Sequence, residues 1–251
     1  MDENRNRHLE KEKILLRWLI FFDFTNRKII SKLFGVTDGT LSRFYRAMQR
    51  KNLISIVQNP NASANQKLII LTQDGFDHAI TLNEDIDINK VTLKRSIPPT
   101  LVRHQLALQM YLVDSGVDAF HVVTDKLLRK RHETFTFIPD AIAIINNQRV
   151  AIEMELTRKK PARIVYKFQQ QAHAMREATN KKPLFDSVIY VFENKSLRNT
   201  YQAHFDKPRW DYCVVENHKV MVKNSADSEF AYVLDEKFRD KFSFDVNEEL
   251  I

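Results

Sequence analysis

The chain has 251 residues, of which 43% are hydrophobic and 10% aromatic, and its formal net charge at pH 7 is +7. This composition excludes an intrinsically disordered chain and allows one large domain or two modest ones. The single cysteine, Cys213, excludes an internal disulfide and favours a reducing compartment. The most apolar stretch, 14–24, carries two charges and is shorter than the ~20 residues that span a bilayer, and no secretory leader is recognisable. We expect a cytoplasmic protein without membrane insertion.

The positive charge is concentrated at the N-terminus. Residues 1–52 contain 12 Lys or Arg against 6 Asp or Glu, whereas the remaining 199 residues contain 27 against 26. A basic segment followed by a nearly neutral one is typical of a polyanion-binding module joined to a second domain. A basic helix that only faces solvent is the alternative interpretation.

The first 82 residues show the spacing of three short helices. Apolar residues recur with helical periodicity over 10–23. Thr25 is predicted to cap a second helix that Gly35 ends, and Thr37 or Asp38 to cap a third. Two short helices joined by a turn at 34–37 predict a helix-turn-helix.

Two predicted strands follow, at 53–58 and 67–72, with a polar turn at 59–66 between them. The order helix–helix–helix–strand–strand resembles the winged helix-turn-helix superfamily over residues 10–82. The resemblance implies that the third helix enters a groove of DNA. The polar residues that lie off its apolar stripe are the predicted DNA contacts, with a solvated face as the alternative: Thr40, Ser42, Arg43, Arg46, Arg50 and Lys51.

Residues 83–99, with an acidic run and then Pro98-Pro99, predict a linker between domains 1–82 and 100–251. The second domain is predicted to follow the order α-β-β-β-α-β, then α-β. Its first strands are expected at 119–124, 134–145 and 149–156, with a basic loop at 126–132.

The hairpin formed by the second and third of these strands carries the strongest functional signal. Asn tolerates positive φ, so Asn146-Asn147 predicts a two-residue turn that pairs Ile145 with Gln148. This register places Asp140 directly opposite Glu153, with Glu155 on the same face.

Three neighbouring carboxylates repel one another unless a cation lies between them. Oxygen ligands suit Mg²⁺ or Mn²⁺, and such an ion promotes attack on a phosphodiester. Asp140, Glu153 and Glu155 are therefore the predicted metal ligands and catalytic residues. An exposed sheet face with scattered acids is the alternative.

Pro139-Asp140, twelve intervening residues and Glu153-Met154-Glu155 resemble the PD-(D/E)XK nuclease signature. The family pattern has lysine where Glu155 stands, so the resemblance implies a lysine from elsewhere. The helix after Pro161 offers Lys167, which we predict to be catalytic.

Further candidates surround this signature. Gln171 lies one turn after Lys167 and is a weaker candidate, as is His104 at the start of the domain's first helix. A short basic segment follows the second strand and is both a competing source of the lysine and a predicted DNA-binding site: Arg158, Lys159 and Lys160.

The whole layout, a winged helix followed by a restriction-endonuclease-like αβββαβ domain, resembles the replication-relaxation family, and in particular the MOBC class of plasmid mobilisation relaxases. The resemblance covers about residues 10–195 and rests on an Arg-His-Gln-Leu helix, Pro-Asp, Glu-x-Glu-Leu and a following basic helix. It implies site- and strand-specific nicking of double-stranded plasmid DNA at a transfer origin. It also implies partnership with an accessory DNA-binding protein and a type IV secretion coupling protein.

Two other functions fit the same residues. One is a dimeric restriction-type endonuclease that cuts both strands with the same acids. The other is a non-catalytic replication or transcription regulator whose second domain is a degenerate nuclease fold. The chain shows no Gly-rich phosphate loop, zinc-type Cys/His cluster or Ser-His-Asp arrangement that predicts another chemistry.

Overall fold

A computed structural model describes residues 2–60, 67–87, 89, 91–94, 96–131, 137–176 and 182–248. The chain is a mixed α/β protein that divides by its internal contacts into two compact units, with the division between Glu133 and Thr134. None of the helices in the described ranges combines the length and apolarity that crossing a membrane requires.

The first unit begins with three helices and then two longer strands, the order that the sequence predicts. Strand β3 is central to a three-stranded antiparallel sheet, with the order β1-β3-β2. The elements are α1 (Asp2–Phe22), β1 (Phe24–Thr25), α2 (Arg27–Leu33), α3 (Ser42–Arg50), β2 (Ile54–Gln58), β3 (Lys67–Leu71), α4 (Gln73–Leu82), α5 (Pro99–Asp114), β4 (Val122–Thr124) and α6 (Asp125–Arg131). The predicted wing tip at 59–66 lies mostly outside the described residues.

The caps of α2 and α3 differ from the predicted ones. Asn26, not Thr25, caps α2, because its side chain accepts a hydrogen bond from the Ile29 amide. Gly35 ends that helix at φ +61°, as predicted. The segment Asp38–Leu41 is a 3-10 turn, so α3 starts only at Ser42. Thr40 therefore lies in the turn that precedes α3 and not on the helix itself.

Helix α5 belongs by its contacts to the first unit, whereas the sequence places it after a linker at 83–99. The buried amide of Gln109 accepts a hydrogen bond from the Trp18 indole at 2.8 Å and donates one to the Phe24 carbonyl at 2.9 Å. Val102, on the same helix, packs with Phe24 and Leu68 in one apolar cluster. The boundary between units consequently follows α6 rather than α4.

The predicted strand at 119–124 and basic loop at 126–132 also differ from the structure. Residues Ala119–His121 form a 3-10 turn, only Val122–Thr124 are extended, and a helix replaces most of the loop. Lys126, in the predicted basic loop, is anchored to the first helix. Its ammonium donates to the Ile20 carbonyl near the end of α1 at 3.3 Å and pairs with Asp23. The side chain is held by α1, so the segment does not behave as a basic loop.

The second unit is built on four neighbouring strands in the order β10-β7-β6-β5. Strands β5 and β6 are antiparallel, whereas β6, β7 and β10 run parallel. Its elements are β5 (Ala141–Ile145), β6 (Gln148–Glu155), α7 (Pro161–Ala174), β7 (Ser187–Phe192), α8 (Lys195–Phe205), β8 (Tyr212–Glu216), β9 (Lys219–Asn224), α9 (Glu236–Arg239) and β10 (Phe242–Val246).

The C-terminal part contains three elements that the sequence did not predict, β9, α9 and β10. Strand β8 does not join the main sheet but pairs with β9 across a turn in which Asn217 and His218 have positive φ. Strand β10 completes the sheet beside β7. The strand predicted from residue 134 begins only at Ala141, and residues 132–136 lie outside the described part.

An aromatic cluster fixes α7 on the sheet. The ring of Phe168 is fully buried and lies 5.3 Å from that of Tyr190 on β7 and 5.4 Å from those of Phe205 and Trp210. The contacts with Tyr190 and Phe205 are edge-to-face and the contact with Trp210 is tilted, and close ring packing of this kind favours one helix orientation. Phe168 directly follows Lys167, so the cluster also determines where Lys167 points.

Candidate functional site

The β5–β6 hairpin has the predicted turn and register. Asn146 and Asn147 have φ of 50° and 61°, and Ile145 is paired with Gln148. The Cα register continues to Ala141 opposite Ile152. Asp140, the next residue, points back at β6, where its Oδ2 atom accepts a hydrogen bond from the Met154 amide at 2.9 Å.

Glu153 and Glu155 are buried carboxylates in the middle of the sheet. Each is only 1% exposed, because β6 lies between β5 and β7 and is covered by side chains of α7. A buried ionised carboxylate is costly unless it is paired, hydrogen-bonded or bound to a metal. The acids therefore do not form a scattered set on an exposed face.

Lys167 lies between the two glutamates. Its Nζ atom is 2.7 Å from Glu153 Oε2 and 2.6 Å from Glu155 Oε1, and the side chain is 17% exposed. The side chain thus reaches the acids across the gap between α7 and β6. Lys159 is more distant, with its Nζ atom 3.9 Å from Glu155 Oε2.

The negative charges of Asp140, Glu153 and Glu155 exceed the positive charge of Lys167, and this shifts the pKa values of the cluster. Burial raises the pKa of Glu153 to about 8. The attraction of Lys167 opposes this shift, whereas the negative charges of Asp140 and Glu155 add to it. Burial alone would lower the pKa of Lys167, but the charges of the three acids outweigh it and raise that pKa above its ordinary value. The two shifts favour the charged form of Lys167 and oppose ionisation of Glu153.

Glu153 and Gln171 each have one polar atom without a hydrogen-bond partner in the described part of the chain. These atoms are Glu153 Oε1 and Gln171 Nε2, both buried. The Gln171 amide is oriented by Tyr190, whose hydroxyl donates to Gln171 Oε1 at 2.6 Å. Leaving such atoms unpaired costs roughly 1–3 kcal/mol each, so both are candidate binding atoms for a ligand or ion.

Sequence reasoning did not identify the tyrosines beside the acids. Tyr190 is opposite Glu153 in the β6–β7 register and fully buried. Burial and then the negative charges of Glu153 and Glu155 raise the pKa of Tyr190. Burial and the charge of Glu155 act in the same direction on the pKa of Tyr201. The parallel register of β6 and β7 was the missing information, since it does not follow from local spacing.

The donor set fits a hard divalent cation, although its side chains do not yet surround one. No group of three acidic, histidine or cysteine side chains in the described ranges is arranged as a metal site. Lys167 engages one oxygen of each glutamate instead. The unpartnered Glu153 Oε1 atom and the raised pKa of Glu153 are what an oxygen-binding cation would relieve.

The other predicted residues of this region are dispersed. Arg158 and Lys160 are exposed just before α7, and Lys159 is partly buried with its ammonium 3.3 Å from the Thr157 hydroxyl. None of the three replaces Lys167 at the acids. His104 lies on α5 in the first unit, half-buried.

The predicted DNA-contact residues of the first unit differ in their exposure and in their hydrogen bonds. Arg43, Arg46 and Arg50 are exposed and line one shallow surface of α3 together with Gln49. Thr40 is exposed but bonded to Thr37, Ser42 accepts from Arg27, and Lys51 pairs with the buried Glu12 at 2.7 Å.

No protein-family model matches this chain, and no curated protein matches it. Among solved structures, a mutant of Lactococcus lactis ZitR in its apo form is similar, with 13% identity and a TM-score of 0.28. The match covers 33% of this chain and 61% of that protein. A likeness this low indicates neither function nor partner.

Proposed function

We propose that this protein is a metal-dependent DNA endonuclease that nicks one strand of a duplex, with a winged-helix domain for DNA binding and a PD-(D/E)XK-like domain for cleavage. The observation that carries this proposal is the buried Glu153–Glu155 pair beside Asp140, with Lys167 at hydrogen-bond distance from both glutamates. Two buried acids and a lysine contributed by a neighbouring helix are a costly arrangement for packing alone.

Each side chain has a role in this proposal. Asp140, Glu153 and Glu155 would hold Mg²⁺ or Mn²⁺, which supplies Lewis acidity at the scissile phosphate, and Glu153 Oε1 is an unpartnered oxygen within this set. Lys167 donates hydrogen bonds and stabilises the charge that develops on the phosphate oxygens. Arg158 and Lys160 are exposed and would neutralise backbone phosphates beside the cut.

The resemblance to mobilisation relaxases extends the proposal to the biological substrate. A plasmid transfer origin would be the nicked site, with an accessory DNA-binding protein and a type IV secretion coupling protein as partners. The ββαβ order of β5, β6, α7 and β7 around the acids and the three helices before a β-hairpin support this extension.

Incubation with supercoiled plasmids that carry candidate transfer origins, with Mg²⁺, with Mn²⁺ and with EDTA, tests the proposal. We expect open circles only when metal is present, and no open circles from Asp140→Asn. Linear product would instead indicate the double-strand endonuclease. Metal-independent cleavage, or full activity of D140N, would contradict the site.

A second function is favoured by one specific contact. The bridge from Lys167 to both glutamates is also what a purely structural ion-pair cluster would show. In that case the protein is a DNA-binding regulator with a degenerate nuclease domain. DNA binding without any metal-dependent cleavage of origin-containing plasmids would support this function.

DNA binding by α3 gives a quantitative prediction. The double substitution Arg43→Ala and Arg46→Ala should weaken duplex binding, because two cations that face the backbone are removed. The slope of log Kd against log salt should fall by about 0.9 for each phosphate that the variant no longer neutralises. Fluorescence anisotropy at several salt concentrations measures both the affinity and the slope.

The matched control for this experiment removes two exposed cations from β9. Lys219→Ala with Lys223→Ala changes the net charge equally but should leave the salt slope unchanged. Equal effects of both double variants would mean that net charge, and not the α3 surface, drives binding.

A further inference from the structure

Resting on the proposed function, we propose that Lys167 is a built-in counter-ion that competes with the divalent cation for Glu153 and Glu155, so that the cation must displace the lysine before the site is loaded. The chain would thereby hold its cleavage site closed to metal until a cation or the phosphate of DNA draws the lysine away.

The contacts of Lys167 support a competitive role. The ammonium engages one oxygen of each glutamate, at 2.7 and 2.6 Å, which are short charge-assisted hydrogen bonds. A cation that bound both glutamates at once would lie a few ångströms from this ammonium. Repulsion between a unit charge and a dication at that distance is large in a poorly solvated site.

The lysine is the more exposed partner of the cluster. Its side chain retains 17% exposure, whereas both glutamates are at most 2% exposed. The ring of Phe137 lies 6.0 Å from Lys167 Nζ, within reach of a cation–π contact. Because the acids lie on an inner strand of the sheet, displacement of the more exposed lysine side chain is the easier change.

The same site shows why a lysine is needed when metal is absent. Lys167 is at hydrogen-bond distance from both buried glutamates, and its removal would take away the ion-pair partner of Glu153 and leave Glu155 with the ammonium of Lys159 at 3.9 Å. The lysine therefore stabilises the metal-free protein and opposes binding of the divalent cation.

The test measures Mn²⁺ binding to the full-length protein by isothermal titration calorimetry at pH 8.5, where protons compete least for the carboxylates. Lys167→Met should bind Mn²⁺ at least about tenfold more tightly than the wild type. Lys167→Arg, which retains the cation, should not. The control Lys195→Met removes an equal charge from an exposed position on α8 and should bind like the wild type.

A thermal denaturation series accompanies the titration and guards against misfolding of K167M. In EDTA the variant should melt at a lower temperature than the wild type. Saturating Mn²⁺ should raise the melting temperature of the variant by more than it raises that of the wild type. If K167M does not fold, Lys167→Gln serves in its place with the same expectations.

The outcomes separate the two proposals. Equal or weaker Mn²⁺ binding by the folded Lys167 variants would overturn the competition while leaving the metal site intact. Binding by the variant but not by the wild type would support competition in its strongest form. Absence of binding to both would overturn the metal site itself, and with it the proposed function.

Discussion

Replacement of Glu153 by glutamine is expected to reduce the rate of plasmid nicking by about a thousandfold, equivalent to ~4 kcal/mol of transition-state stabilisation. The reason is that the amide keeps the shape of the side chain but cannot hold a divalent cation as a carboxylate does. The measurement is the initial rate of open-circle formation at saturating Mg²⁺, together with DNA affinity by anisotropy.

DNA affinity should remain within about twofold of the wild type, because the predicted contact surface of α3 is unaltered. The control Glu216→Gln changes an exposed carboxylate on β8 and should retain the full rate. An E153Q variant that nicks as fast as the wild type would remove Glu153 from the catalytic site.

The dependence of stability on pH should differ most clearly between the wild type and the same E153Q variant. Burial raises the pKa of Glu153 from 4.5 to about 8 in the folded chain. Between these values the folded state holds a proton that the unfolded state has lost, so the unfolding free energy falls as pH rises. Above about pH 8 both states are ionised and the fall levels off.

We therefore expect the stability of E153Q relative to the wild type to increase between pH 4.5 and 8, by at most a few kcal/mol. Chemical denaturation in EDTA at half-unit pH intervals measures this difference, and titrating groups that do not interact with Glu153 cancel in the comparison. A constant difference over this range would show that Glu153 is ionised throughout and that Lys167 balances its charge.

Local sequence patterns predicted the geometry of the β5–β6 hairpin better than the grouping of helices into units. The Asn146-Asn147 turn fixes the hairpin register by itself, so Asp140 could be placed beside β6 without any tertiary information. Helical spacing similarly placed Lys167 on the side of α7 that faces the sheet.

Features that depend on distant contacts could not be predicted in this way. Helix α5 is joined to the first unit by Gln109, whose partners Trp18 and Phe24 are 91 and 85 residues away. Strand β10 joins the sheet beside β7 after 49 intervening residues, and nothing in its own sequence specifies that neighbour. Periodicity reports which face is buried but not what covers it.

The contact between Lys167 and both glutamates could be predicted only in part from the sequence. Spacing indicated that the lysine faces the acids, but a metal-ligating triad and an ion-paired triad have the same sequence pattern. Only side-chain distances show that Lys167 engages one oxygen of each glutamate and leaves the Oε1 atom of Glu153 without a hydrogen-bond partner in the described chain.

Anomalous diffraction from a crystal of the full-length protein grown with Mn²⁺ tests the central claim most directly. We predict a peak about 2.1 Å from Glu153 Oε1 and from a carboxylate oxygen of Asp140, with Lys167 moved away from at least one glutamate. No peak at these acids, with Lys167 still bridging Glu153 and Glu155 at a Mn²⁺ concentration that saturates the protein's effect on DNA, would contradict the proposal that this cluster is a metal-dependent cleavage site.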